Sequence, residues 1–432
     1  MTYQETIDYL FTKLPMYSRI GAAAYKKDLT NTILLCKQLG NPQHQFKSIH
    51  IAGTNGKGSV SHMLAAIFQK AGYQTGLHTS PHLKDFRERI KINGEMIPEE
   101  YVIDFVERIN ESMVKIEPSF FEISVVMAFD YFAAQKVEIA IIETGLGGRL
   151  DSTNVIVPEL SVITNIGWDH MNLLGDSLKK IAGEKAGIIK ENVPVVIGES
   201  NSETLPVFLA VAKEKNAILS QASTQRMIAD WHWENHSLHV NVEKMNSPDH
   251  TKYELDLPGI YQLKNLVTVL ESVSVLQKMG WNINEEHIHW ALKEVKKLTG
   301  LHGRWELIQQ HPDIILEVAH NENGINQMME HLELCSYTHL HIVLGMAKDK
   351  EVEKILSLLP KHARYYFTKA DIPRALPAED LLKKAEQFEL RGDCFENVNI
   401  AIAQAKIHAK KDDLILVCGS IFLVAEVDQS KL

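Results

Sequence analysis

The sequence predicts an α/β protein, with a P-loop-type, mostly parallel sheet domain followed by a smaller Rossmann-like α/β domain. Three observations predict it. Short apolar runs alternate with helical stretches through the first two-thirds of the 432 residues, the pattern of a parallel sheet covered on both faces. Residues 51–59, Ile-Ala-Gly-Thr-Asn-Gly-Lys-Gly-Ser, place a glycine turn around a lysine between a strand and a helix start. Beyond Gly300 and Gly303 a second series of strands and helices begins.

In the first series, the apolar runs 48–52, 74–78, 137–143, 160–165 and 193–197 read as strands. Stretches 57–71, 98–112, 120–135, 177–189 and 205–215 read as helices between them. From about 224 to 257 the pattern changes to short alternating runs, such as His236-Ser237-Leu238-His239-Val240-Asn241-Val242, which suggests a small antiparallel insertion. Helices resume at 264–278 and 285–298. Two glycines after a basic helix end, in Thr299-Gly300-Leu301-His302-Gly303, mark a domain boundary. The expected division is therefore 1–298 and 299–432. The second series runs strand 314–318, helix 322–333, strand 339–344, helix 350–359 and strand 364–368. Helices near 378–387 and 397–409 and strand 412–418 complete it.

Composition narrows the function. A hydrophobic content of 45% and a charged content of 23% suit a soluble globular enzyme, and the apolar runs are far too short to cross a membrane. A net charge of −10 argues against nucleic acid as a partner. It also requires a local basic cluster wherever a polyanion is to bind. Cys36, Cys335, Cys394 and Cys418 are scattered with no Cys-x-x-Cys pair, so neither a disulfide frame nor a cysteine zinc site is expected. The start Met1-Thr2-Tyr3-Gln4-Glu5 lacks the features of a signal peptide. A cytoplasmic monomer is the expectation.

Ligands of such folds bind at the carboxyl ends of the strands, so the residues after each strand carry the chemistry. In the first loop, Gly53, Gly56 and Gly58 let the backbone approach an anion, and Lys57 adds a point charge for β- and γ-phosphates. With the amides of Thr54, Asn55 and Ser59, these residues point to a nucleoside triphosphate. The common P-loop pattern is matched imperfectly, since Ile51 stands where its first glycine would and Gly58 separates Lys57 from Ser59. Ser80, after the second strand, could offer a hydroxyl to a metal or phosphate. Glu143, before the glycine-rich 144–148, is placed as an oxygen ligand for Mg²⁺; the plainer alternative is an exposed strand-end charge. His170 is a metal ligand, a base or a hydrogen-bonded loop histidine. Lys185 sits in an apolar helical turn and, taken alone, is a solvated or ion-paired lysine. Asn265, Arg304 and His320 each begin or follow an element and could hold a nucleotide.

Together these pieces resemble the Mur-ligase-like superfamily of ATP-dependent amide-forming ligases, and within it the folylpolyglutamate synthase/dihydrofolate synthase family. The resemblance runs from Leu39-Gly40-Asn41-Pro42 and 49–59, through Thr79-Ser80-Pro81-His82-Leu83 and 88–95, to the loop 143–154. It continues through Asp169-His170, Leu174-Gly175 and 181–188, and ends at Gly419-Ser420-Ile421-Phe422-Leu423-Val424. It implies that Lys57 and its amides hold ATP phosphates, that Ser80 and Glu143 ligate one Mg²⁺, and that His170 ligates a second. It implies a carbamate on Lys185, nucleotide contacts from Asn265 and Arg304, and a phosphate-facing role for His320. The substrates it implies are a pterin or folate, L-glutamate and ATP, joined through an acyl phosphate.

Three departures stand out. Glu317-Val318-Ala319-His320-Asn321 replaces the usual Asp-Gly-Ala-His-Asn, His302-Gly303-Arg304 the usual Pro-Gly-Arg, and Gly259-Ile260-Tyr261-Gln262 the usual Gly-x-His-Gln. Two other readings remain open. One is a different amide ligase of the superfamily, for which the segment before residue 48 is short to form a nucleotide-sugar-binding domain. The other is a regulatory ATP-binding module.

Overall fold

Strand-forming residues are concentrated where the first sheet needs them, and its order places the glycine loop at its centre. The strands are β1 (Lys47–Ala52), β2 (Thr75–His78), β3 (Ile90–Ile92), β4 (Glu95–Met96), β5 (Ile139–Glu143), β6 (Leu160–Ile163), β7 (Val195–Ile197) and β8 (Leu219–Gln221). They pair in the order β4-β3-β2-β5-β1-β6-β7-β8. All neighbours from β2 to β8 are parallel, and β3 and β4 add an antiparallel edge. This computed structural model describes residues 1–16, 19, 21, 28–245, 250–348 and 350–431.

Because side chains alternate along a strand, both sheet faces need cover. Ala140 and Ile142 of β5 point into one cluster with Phe105, Phe129 and Phe132 from helices Glu99–Ile116 and Phe120–Ala134. Ser119 and Glu122 close a capping box at the start of the latter helix. A second cluster joins Ala52 and Ile163 to Ala182 and Ala186 of helix Leu178–Ala186. Helix Lys57–Lys70 is buried continuously from Ser59 to Phe68, so it reads apolar on every side rather than as a stripe.

A three-stranded antiparallel sheet follows, formed by β9 (Arg226–Glu234), β10 (Ser237–Lys244) and β11 (His250–Leu255) in the order β11-β10-β9. The third sheet holds β12 (Glu306–Gln309), β13 (Asp313–Leu316), β14 (Leu340–Leu344), β15 (Arg364–Phe367), β16 (Arg391–Cys394) and β17 (Leu414–Cys418). Its order is β12-β13-β17-β14-β15-β16, parallel apart from the edge strand β12.

Backbone contacts divide the chain into two compact units. The first holds most of the chain up to Leu301, and the second holds Leu257–Tyr261 and His302–Leu432. Thr299 and Gly300 belong to the first, and Lys91 Nζ donates to both of their carbonyls, at 2.7 and 3.3 Å.

Several elements have little sequence signal. The short strands β3, β4, β8, β12 and β16, at or next to the sheet edges, span two to four residues, too few for a period to show. The expected helix 285–298 breaks at Glu294 into Glu285–Lys293 and Val295–Thr299. No helix among the described residues is long and apolar enough to cross a membrane.

Candidate active site

The glycine loop leaves β1 and enters helix Lys57–Lys70 through Gly56, whose φ of 82° lies in the left-handed region. No side chain caps this helix, so its first N–H groups face outward at the positive end of the dipole. Glycine is required twice. A Cβ on Gly53 would stand 1.8 Å from Thr164 Oγ1, and one on Gly56 2.3 Å from Asn265 Oδ1. The turn is tied to the loop after β6: Thr54 N donates to Asn165 O at 3.0 Å, and Asn55 N to Asn165 Oδ1 at 2.9 Å. Thr164 Oγ1 in turn donates to Asn55 O at 2.6 Å. Lys57 Nζ folds back onto Gly53 O and Thr54 O at 3.1 and 3.3 Å. Asn265 is held at the loop through Gln262, which accepts from Asn265 Nδ2 at 2.8 Å and donates to Ser59 Oγ at 3.1 Å.

The strand order β2-β5-β1-β6 sets the other predicted residues beside this loop. Glu143 ends β5 opposite Ile51 of β1. It is buried, not an exposed strand-end charge, and its Oε2 accepts from Ser80 N at 3.3 Å. The buried Arg89 guanidinium lies within electrostatic reach of Glu143; burial lowers its pKa to about 10, which Glu143 and Glu88 partly counter. Glu143 offers the kind of oxygen donor a hard cation such as Mg²⁺ takes, while the contact from Ser80 is made by its backbone N–H and not its hydroxyl.

The loop after Glu143 is organised by Asp151. Its carboxylate accepts from Leu146 N at 2.8 Å, Thr153 N at 3.0 Å and Thr153 Oγ1 at 2.5 Å. Burial nevertheless outweighs these bonds and raises its pKa. Gly148 packs against the backbone of helix Leu178–Ala186, where a Cβ would meet Glu184 O at 2.8 Å.

That contact belongs to the same helix as Lys185, which is only 4% exposed. Its Nζ donates to Gly53 O at 2.8 Å, so it is neither solvated nor a surface ion pair. Burial, with Lys57 nearby, lowers its pKa to about 7 against the opposing charges of Asp169 and Asp151. His170 adopts φ 49° ahead of the short helix Met171–Leu174, with its N–H on Asp169 Oδ1 at 2.9 Å. Its Nε2 lies 3.8 Å from Asp169 Oδ2.

In the second unit, β13 leads into Glu317, whose role the sequence leaves unsettled. Glu317 is buried and its carboxylate is fully engaged. Oε2 accepts from Tyr261 OH at 2.6 Å and Trp305 N at 3.0 Å, while Oε1 accepts from Ala319 N at 3.1 Å. Glu317 and Tyr261, two of the departures from the family pattern, are therefore one hydrogen-bonded pair. Arg304 is half-buried and donates to Gly303 O at 3.3 Å. His320 shares its Nδ1 proton with Val318 O at 2.9 Å.

Sequence reasoning did not assign Asp151, Gln262 or the Tyr261–Glu317 pair. Asp151 had a local signal, since an Asp two residues before Thr153 forms a side-chain turn. The other contacts join residues far apart in the chain and have no such signal.

A mostly parallel nucleotide-type sheet with a lysine-bearing glycine loop, followed by a second parallel sheet, defines a Mur-type ligase. Accordingly, residues 51–273 match the Mur ligase middle domain and residues 303–421 match the Mur ligase glutamate ligase domain. The chain is 32% identical to a Bacillus subtilis dihydrofolate synthase/folylpolyglutamate synthase, over 98% of each protein. A Mycobacterium tuberculosis folylpolyglutamate synthase complexed with ADP superposes with a TM-score of 0.86 at 30% identity, covering 98% of this chain and 96% of that one. E. coli FolC in complex with DHPP and ADP gives 0.84 at 28% identity, with the same coverage. The chain belongs to the folylpolyglutamate synthase/dihydrofolate synthase family of Mur ligases. It is thus an ATP-dependent amide ligase.

Proposed function

We propose that the chain adds L-glutamate to a pterin substrate, dihydropteroate or a reduced folate, through an acyl phosphate, releasing ADP and phosphate. The observation that carries this reading is the carboxyl end of the central strands, where an uncapped helix start with Lys57 stands near the buried carboxylate Glu143 and the buried amine Lys185. A carboxylate is a poor acceptor for an amine in water. Transfer of the γ-phosphoryl group of ATP to the pterin carboxylate activates it, and the α-amine of glutamate then displaces phosphate. The amides at the helix start and Lys57 hold the β- and γ-phosphates and offset the charge that builds on the transferring group. The N–H groups of Thr54 and Asn55, expected to face the phosphates, are instead taken up by Asn165 and fix the loop, which leaves the N–H groups at the uncapped helix start and Lys57 for the phosphates.

Two Mg²⁺ ions belong to this reading, one held by Ser80 and Glu143 and one by His170. When bound, they supply charge neutralisation and alignment of the phosphates. Lys185, lowered to a pKa of about 7, is suited to react with CO₂ and become a carbamate, a carboxylate-like metal ligand. Asn265, whose Oδ1 faces Gly56, would contact the nucleotide there. Arg304 and His320 would serve the phosphates, and the acyl phosphate must be kept from water. We assign ATP binding to the first unit, which runs to Leu301 rather than to 298, and glutamate ligation to the second, from His302, in a cytoplasmic monomer.

The test is ADP release by the purified protein with Mg-ATP and L-glutamate, comparing dihydropteroate with tetrahydrofolate. Stimulation by either acceptor supports the reading and names the acceptor. No stimulation by either, in a protein that binds ATP, refutes it.

A further inference from the structure

The geometry points to a transition-metal site on the antiparallel insertion, held by His232, Glu234 and His239. Strands β9 and β10 are joined by the two residues Asn235 and His236, both at positive φ, 49° and 63°. This is the tight turn whose twist matches a hairpin and locks its register. Glu234 consequently faces Ser237, and His232 faces His239 directly across the ladder. Side chains of directly opposed residues start only about 5 Å apart at Cβ. Alternation puts His232, Glu234 and His239 on one face, which is open to solvent, while Leu238 and Val240 are buried on the other.

The side chains converge on that face. The two imidazoles stack with centroids 5.1 Å apart and planes within 10°. Glu234 Oε2 lies 3.9 Å from His239 Nε2, and one ligand atom from each of the three residues lies within 4.8 Å of the others. Donors around a tetrahedral ion with bonds near 2.0–2.1 Å stand roughly 3.4 Å apart. Closing the set therefore needs side-chain rotation on the order of 1 Å and no backbone change. Glu254, opposite His239 on β11, is held by Lys293 at 2.7 Å and completes the row without being needed as a ligand.

Two imidazole nitrogens and one carboxylate oxygen suit Zn²⁺, Ni²⁺ or Cu²⁺, and not Mg²⁺, which takes oxygen ligands. The site shares no residue with the set proposed for ATP and Mg²⁺. Three protein ligands leave one position for water or a further donor. Bound metal would clip β9 to β10 and stabilise the insertion by mass action.

The test is calorimetric titration of the full chain with ZnCl₂ in excess Mg²⁺, beside the His232→Ala/His239→Ala variant. The expected result is one more Zn²⁺ bound per wild-type chain than per variant chain, with a zinc-dependent rise in Tm seen only in wild type. The variant should keep its metal-free Tm and rate of ADP release. Equal stoichiometry in both proteins overturns the proposal. If the variant does not fold, one equivalent of Cu²⁺ on wild type decides instead. Nitrogen superhyperfine splitting from two imidazoles in the EPR spectrum supports the site, and an all-oxygen spectrum overturns it.

Discussion

Lys185 should carry a substantial free-amine fraction at neutral pH and take up CO₂. Its pKa falls from 10.5 to about 7 because burial penalises the ammonium form and Lys57 repels it. That shift favours the neutral amine by on the order of 5 kcal/mol. At pH 7 about half of the Lys185 side chains are then unprotonated, against roughly one in three thousand for an ordinary lysine. The sign follows directly. A folded pKa below the unfolded one makes the stability penalty complete below about pH 7, and it fades as pH rises toward 10.5. Over the same rise through pH 7 the reactive amine appears. The assay is ¹³C NMR of the protein with ¹³C-bicarbonate at pH 6, 7 and 8. A single protein carbamate signal should grow across that series and vanish in Lys185→Arg, whose guanidinium keeps its proton. Turnover of that variant should fall at least tenfold. Absence of the signal at pH 8, or its survival in the variant, would refute the reasoning.

Other substitutions probe the frame around the nucleotide. Gly56→Ala forces a side chain into φ 82° and within 2.3 Å of Asn265 Oδ1. With the strain and one displaced hydrogen bond at about 2–3 kcal/mol together, KM for ATP should rise thirtyfold or more; an unchanged KM would remove Asn265 from the site. Asp151→Asn weakens the acceptor for Leu146 and Thr153. It should cost about 2–3 kcal/mol in urea unfolding, and a loss below about 0.5 kcal/mol would show that the loop is held otherwise. Tyr261→Phe and Glu317→Gln should couple by about 1–3 kcal/mol in a double-mutant cycle. Strict additivity would mean that the two departures are unrelated.

Legibility in the sequence followed the range of the interactions. The glycine loop, the strands β1, β5 and β6 and the helix after the loop could be read because their signals are local: apolar runs, a Gly-Lys-Gly turn, a periodic helix. The change of pattern near 224 marked the antiparallel insertion for the same reason. The edge strands escaped because two to four residues carry no period. Lys185 shows the limit for single residues. In isolation a lysine reads as solvated, and only the fold brings Gly53 O to 2.8 Å from its Nζ. Glu317 was ambiguous because its partner Tyr261 lies 56 positions away. The same distance explains why two substitutions relative to the family pattern looked independent in the sequence.

The most direct test of the acyl-phosphate route follows the oxygen. The pterin acceptor, labelled with ¹⁸O in its reacting carboxylate, is turned over with Mg-ATP and L-glutamate, and the released phosphate is analysed by mass. Phosphorylation of the carboxylate followed by amine attack leaves one carboxylate oxygen in phosphate, so each turnover should yield one ¹⁸O-labelled phosphate. Unlabelled phosphate formed alongside the glutamyl product would contradict it.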